Sequence, residues 1–458
     1  MDRREFVGKV GQATVATSAL PFLAGDGRAL PAKTTLAALG DCIITRKLRV
    51  RDDAAFLDLV DILRDADATW ANCEMTFGDE NELIPTPKGT DMNLLCPPWG
   101  ADELAWLGVD FMGNANNHTK DYGRRGLMST IRHLERVGIS HAGAAGNLQE
   151  AARPGYVDTP GGRVAQVNTA STFPDWSRAA PMHAHVNGRA GLNPLRVDWT
   201  YQIEESLLEQ LRETKTELAK VRGSYDEEDQ DDEGGDELEF LGRSFTGGDA
   251  TDIRSEGRPE DVKRIVNDGV GIADRNARLT VVTIHAHESY GSDDRPAQFL
   301  QPFARACIEA GADAFVGAGP HLLRGIEIYQ GKPIFYSLGN FLFQYESVRQ
   351  VPAEVYQARD FDIHTLDPML TYEKFDFPGD RRYWESVVPV ITYQGEGEVT
   401  DIRLHPITLG QEEPPYHRGT PVLADSGTGR EIVERLARLS EPYGTSIEFD
   451  GNVGRVNL

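Results

Sequence analysis

Asp41, Glu74, Asn117 with His118, His285 and His321 are far apart in the chain, yet each stands at or just beyond the end of a short apolar run that reads as a strand. In "AFVGAGPHLLRG" (Ala314 to Gly325), for example, a strand-like run passes through a glycine-proline turn and presents His321 just past it. Packing does not account for such placements, because Asp, Glu, Asn and His are poor core residues unless paired. Carboxylate, amide and imidazole groups brought together suit a borderline-to-hard divalent ion such as Mn, Fe, Zn or Mg. A bridging carboxylate with ligands on both sides would suit two ions about 3.5–4 Å apart, the arrangement used for in-line hydrolysis.

The elements that must position these groups follow an alternating pattern. "DDAAFLDLVDILRDAD" carries Phe56, Leu59, Val60 and Leu63 at helical spacing behind Asp52 or Asp53 as a cap. "RRGLMSTIRHLERVGISHAG" reads as a helix stopped by Gly138. "ARLTVVTIHAHESYG" reads as a strand, "FARACIEAGAD" as a helix, and "GIEIYQGKPIFYSLGNFLF" as two strands joined at Gln330-Gly331. Strands alternating with helices predict a layered α/β core whose strand ends meet along one edge. Between residues 177 and 268 the rhythm changes: "YQIEESLLEQLRETKTELAKV" predicts a long amphipathic helix, and the acidic tract "DEEDQDDEGGDELE" follows. This stretch is expected to be an insertion, with 33–176 and 269–410 forming the core and 411–458 a helix-and-strand extension.

A net charge of −25 argues against a nucleic-acid partner, which would demand a basic face. Cys42, Cys73, Cys96 and Cys307 show no metal-finger spacing. At the amino terminus, Arg3-Arg4 precedes a mildly apolar run from Val10 to Ala24 that is too short and interrupted to span a bilayer. Residues 1–32 are therefore expected to be an export signal of twin-arginine type, giving an extracytoplasmic protein in the periplasm or at the cell surface with no transmembrane helix in its mature chain.

The segments "LGDCI", "ANCEMTF", "GNANNHTKDYGRRGLMSTIRHL", "HAGAAGN", "VVTIHAHE" and "GADAFVGAGPHLLRGIEIYQGKPIFYSLGNFLF", in this order, resemble the CapA family of capsule and poly-γ-glutamate synthesis proteins. That family is a branch of the calcineurin-like metallophosphoesterase superfamily. The resemblance covers roughly residues 35 to 345, with the middle insertion poorly matched, and implies a four-layer α/β/β/α sandwich. It implies Asp41 as the first metal carboxylate, Glu74 as the bridging acid, Asn117 as ligand of the second ion, and His285 and His321 as imidazole ligands. His118 would face the substrate, where it could stabilise a developing oxyanion or protonate a leaving group. Related sequences usually carry histidine at the position of Ala318, so the second ion needs another donor here; His287 and Glu288 stand near enough in sequence to supply one.

Two functions follow. One is metal-dependent hydrolysis of a phosphoester, or of an amide in a γ-glutamyl polymer. The other is non-catalytic holding of an anionic polymer during capsule synthesis or export. Either needs a local basic patch, and Lys120, Arg124, Arg125 and Arg324 lie close in sequence to the candidate site. Asn193 and Arg196 in "GLNPLR" are candidate anion contacts, and Asn340 in "YSLGN" a candidate lining residue.

Overall fold

In the computed structural model, residues 33–88, 92–222, 236–349, 351–364 and 379–458 are described; the expected export signal and most of the acidic tract lie outside them. Strand β1 (Thr34–Ile43) is buried along almost its whole length, as a strand packed on both faces must be. Its side chains alternate between two cores. Ala37 and Leu39 face one, while Leu36 and Ala38 face the other.

Parallel pairing carries the sheet from β1 to β2 (Ala68–Cys73), β3 (Phe111–Gly113) and β4 (Ser140–Ala142). Helices connect these strands. In α1 (Ala54–Asp65), Asp53 caps the first turn by accepting from Phe56 N–H at 3.1 Å, and Phe56, Leu59, Val60 and Leu63 are buried. With α2 (Trp99–Leu107), this helix fills the outer core of the sheet. The next helix, α3 (Gly123–Val137), stops at Gly138, whose φ of 81° is the left-handed terminator that the sequence predicts.

A second sheet is built from β5 (Gly155–Thr159), β6 (Gly162–Ala170), β11 (Leu279–His285), β12 (Ala314–Ala318), β13 (Ile326–Tyr329) and β14 (Lys332–Phe335), in the order β13-β14-β12-β11-β6-β5. Its central strands β6, β11 and β12 are parallel. Gln330 and Gly331, both at positive φ, close the β13–β14 hairpin at the expected place. Leu36, Ala38, Trp70 and Phe111 of the first sheet meet Val281, Ala314, Val316 and Ala318 of the second in a shared core. On the far side, Val282, Ile284 and Phe315 pack with Phe303, Ala304 and Cys307 of α5 (Leu300–Glu309). The protein is thus a mixed α/β fold of several sheets and helices.

β15 (Asn340–Phe343) pairs with β1 in parallel, and β16 (Glu385–Gln394) and β17 (Glu398–Thr408) extend the first sheet with antiparallel strands. After α6 (Ser426–Ser440), β18 (Ile447–Asp450) and β19 (Val453–Val456) complete that edge.

The stretch read as helix plus acidic tract differs from expectation. It contains a four-stranded sheet, ordered β8-β9-β7-β10, from β7 (Val197–Glu204), β8 (Glu237–Phe240), β9 (Arg243–Gly248) and β10 (Asp252–Gly257). Helix α4 (Glu205–Arg222) begins only after Tyr201–Glu204, which belong to β7. Leu208 rather than Leu207 or Leu218 is buried, with Ile203 and Leu238. Val197, Trp199, Tyr201 and Ile203 alternate at period two, a strand signal that the longer helical pattern beside it masked.

Gly40 fixes how closely β15 approaches β1. A Cβ there would press into the carbonyl oxygen of Gly339, the acceptor of the Asp41 N–H at 2.9 Å. Gly40→Ala is expected to cost about 3 kcal/mol or more, because the obstructing atom is backbone and cannot step aside. Denaturant unfolding measures this, and a loss below about 0.5 kcal/mol, an ordinary surface effect, would refute the packing account.

Candidate metal centre

Asp41 lies where β1 slips register against both β2 and β15. Its carboxylate is fully buried: Oδ1 accepts from Asn72 Nδ2 at 2.8 Å, and Oδ2 accepts from Gly319 N–H at 3.0 Å. Burial works to raise its pKa, but the neighbouring His321, the Asn72 amide and the Gly319 N–H outweigh it and hold the carboxyl below its ordinary value. Glu74, one residue beyond β2, is also buried; its Oε1 lies 3.8 Å from His285 Nε2 and 3.7 Å from His321 Nε2.

His285 ends β11 without solvent exposure. Burial, and next the charges of His287, His321, His118 and Lys88, push its pKa well below the ordinary value. That favours the neutral ring, the form a metal ligand needs. His321 sits at φ 59°, in the left-handed region, so its turn is a strained one for a residue with a side chain. Two acceptors, Asp41 Oδ2 at 3.3 Å and Asn340 Oδ1 at 2.8 Å, surround its Nδ1. They assign the proton to Nδ1 and leave Nε2 as the lone-pair end, turned toward Glu74. Asn340 Nδ2 donates to Tyr383 O at 3.0 Å, which fixes the orientation of that amide.

In each of two sets, Asp41, Glu74 and His285, and Glu74, His287 and His321, the donor atoms lie within 4.8 Å of one another. Asn117 Oδ1 is buried with no hydrogen-bond partner among the described residues. The carboxylate and imidazole groups of the two sets fit a divalent cation.

The turn after β3 brings in His118. Asn116 anchors it, donating to Cys73 O at 2.7 Å and to Asn72 Oδ1 at 3.3 Å while accepting from His118 N–H. His118 Nδ1 lies 2.7 Å from Asp121 Oδ2 and 3.1 Å from Lys88 Nζ, and Lys88 pairs with Asp121 Oδ1 at 2.8 Å. Asp121, Lys88, Asn72 and Asn116 were not singled out from sequence. Only Asp121 left a signal, standing three residues after His118 in "NNHTKD".

Other expected contacts are engaged elsewhere. Lys120 donates to Trp176 O at 3.1 Å. Arg196 is paired with Asp261 and Glu260. Asn193 donates to Asn168 O and accepts from Arg264, and Glu288 accepts from Ser171 Oγ. Arg324 is fully buried and donates to the carbonyls of Ala286, His287 and Asp293. Of the residues expected to form a basic patch, Arg124 and Arg125 are exposed. Ala318, with Ala314 and Val316, packs in the core between the sheets. The position that faces the imidazoles is Gly319: a Cβ there would lie 2.9 Å from His287 Cδ2 and 3.2 Å from His285 Cε1.

With carboxylate and imidazole groups gathered at the ends of strands from two sheets, the chain matches a family of the metallophosphoesterase-like superfamily. The chain belongs to the bacterial capsule synthesis protein PGA_cap family, whose sequence model matches residues 35–345. Two uncharacterized proteins of Sinorhizobium fredii are each 35% identical over 93% of this chain and 93% of their own. The capsule biosynthesis protein CapA of Bacillus anthracis is 24% identical over 73% of this chain and 66% of its own. The PGA biosynthesis protein CapA of Bacillus subtilis is 46% identical over 16% of this chain and 18% of its own.

Asn340 holds the His321 ring without itself belonging to either donor set. Asn340→Ala is expected to weaken divalent-ion affinity by about 10–100-fold, the usual effect of losing a partner behind a metal ligand. Glu74→Gln, common to both sets, should abolish binding. Calorimetric titration with Mn(II) reads both, and full affinity in Glu74→Gln would disprove the centre.

Proposed function

We propose that this protein is an exported, CapA-like component of capsule or poly-γ-glutamate synthesis or processing, carrying a metal-dependent hydrolase-type site of the phosphoesterase kind. The observation behind this is the convergence of Asp41, Glu74, His285 and His321 from strands of both sheets, with His118 held alongside by buried Asp121. Asp41, Glu74, Asn117, His285 and His321 would hold one or two divalent ions: Mn, Fe, Zn or Mg. Such ions, when bound, supply Lewis acidity and a nucleophile at neutral pH.

The chain's own residues do the rest. With both ring nitrogens protonated, His118 would donate from Nδ1 to Asp121 Oδ2 and from Nε2 to a developing oxyanion, or hand the Nε2 proton to the leaving group. Lys88, paired with the same carboxylate, keeps Asp121 from being a buried charge balanced by His118 alone. Arg124 and Arg125, exposed at the start of α3, are positioned in sequence to meet an anionic polymer or phosphoester.

The two sheets with their outer helices are read as the α/β/β/α sandwich of the calcineurin-like metallophosphatase type. In that reading 33–176 and 269–410 are the core, 177–268 an insertion, and 411–458 an extension. Residues 1–32 act as a twin-arginine signal, so the site works outside the cytoplasm, in the periplasm or at the cell surface. Among the described residues no helix is long and apolar enough to cross a membrane.

Metal-loaded protein is expected to hydrolyse bis(p-nitrophenyl) phosphate or poly-γ-glutamate. His118→Ala should lower kcat by about 10²–10⁴-fold with metal content unchanged. If the loaded protein cleaves neither compound, the hydrolase reading fails and the polymer-holding role takes its place.

A further inference from the structure

We propose that His287 is a ligand of the second ion, shared with Glu74 and His321, in the space that Gly319 leaves open. This rests on the metal-site reading above and deepens it: Glu74 would bridge an ion held by Asp41 and His285 and another held by His287 and His321.

The position of the ring carries the proposal. His287 Nε2 lies 2.8 Å from His285 Nε2, and the His287 ring centroid is 5.9 Å from that of His321. Its backbone is pinned on both sides: N–H donates to Thr172 Oγ1 at 2.8 Å, and the carbonyl accepts from Arg324 Nη2 at 3.0 Å. One residue earlier, Ala286 N–H donates to Ala318 O at 2.8 Å, tying the segment to the end of β12. Gly319 then completes the fit. Its φ of 116° suits glycine alone, and a Cβ there would crowd the His287 ring at 2.9 Å. A side chain at 319 would force the His287 ring to shift. Two imidazoles with a bridging carboxylate favour a borderline ion such as Fe or Zn over Mg.

The test uses the full chain, stripped with chelator and titrated with Co(II), read by calorimetric stoichiometry and visible absorption. Wild type should bind two ions. His287→Ala should bind one tightly, with affinity for the other lowered about 100-fold or more, beyond what an outer hydrogen-bonding partner costs, and with that ion's absorption bands lost or shifted. His287→Asp, which restores a donor, should recover the second ion; circular dichroism verifies that both variants fold. Two ions with unchanged affinity and spectrum in His287→Ala would overturn this inference and leave the metal centre standing. A wild type that binds no ion would overturn both, and one that binds a single ion indifferent to His287→Ala would overturn the inference alone.

Discussion

The hydrogen bond from Gly319 N–H to Asp41 Oδ2 joins the two sheets at the point where the candidate centre forms. Asp41 belongs to the first sheet and Gly319 follows the last residue of β12 in the second. A fully buried carboxylate is costly unless every lone pair is answered. Asn72, Gly319 and His321 answer those of Asp41, and each comes from a different segment. The same contacts that make the charge tolerable therefore set the spacing of the sheets' ends. Any displacement of one sheet against the other would strip partners from Asp41 before it disturbed the apolar core.

Glycine governs how near the backbones come. Gly40 and Gly339 allow β1 and the chain entering β15 to touch, which brings Asn340 beside Asp41 in register and within reach of His321. Asn340 thus acts on the cluster from behind: it fixes which imidazole nitrogen carries the proton while the other faces Glu74.

Much of this was legible in the sequence because the donor residues follow apolar runs directly. Asp41, Glu74, His285 and His321 each end or follow a run whose periodicity marks a buried strand, and the structure brings all four together. The supporting residues were not legible. Asn72 lies inside a buried strand and meets Asp41 only through the β1–β2 register, and Lys88 meets Asp121 across a loop. The side of β12 on which position 318 falls was recoverable by counting: Ala314, Val316 and Ala318 share a face, and that face is the apolar one. The sheet of the inserted stretch escaped because its first strand, "VDWTYQIE", is only half buried and runs directly into a helix.

That inserted sheet spans the crossover between β6 and β11, which are immediate parallel neighbours in the second sheet. Closing a connection costs entropy that grows only with the logarithm of its length. The chain can therefore carry a long, partly self-packed excursion between two adjacent strands almost as cheaply as a short one. Since β11 ends in His285, the excursion begins and ends on strands flanking the cluster without supplying either donor set. Its length and surface can change without altering the spacing of the buried acids and imidazoles.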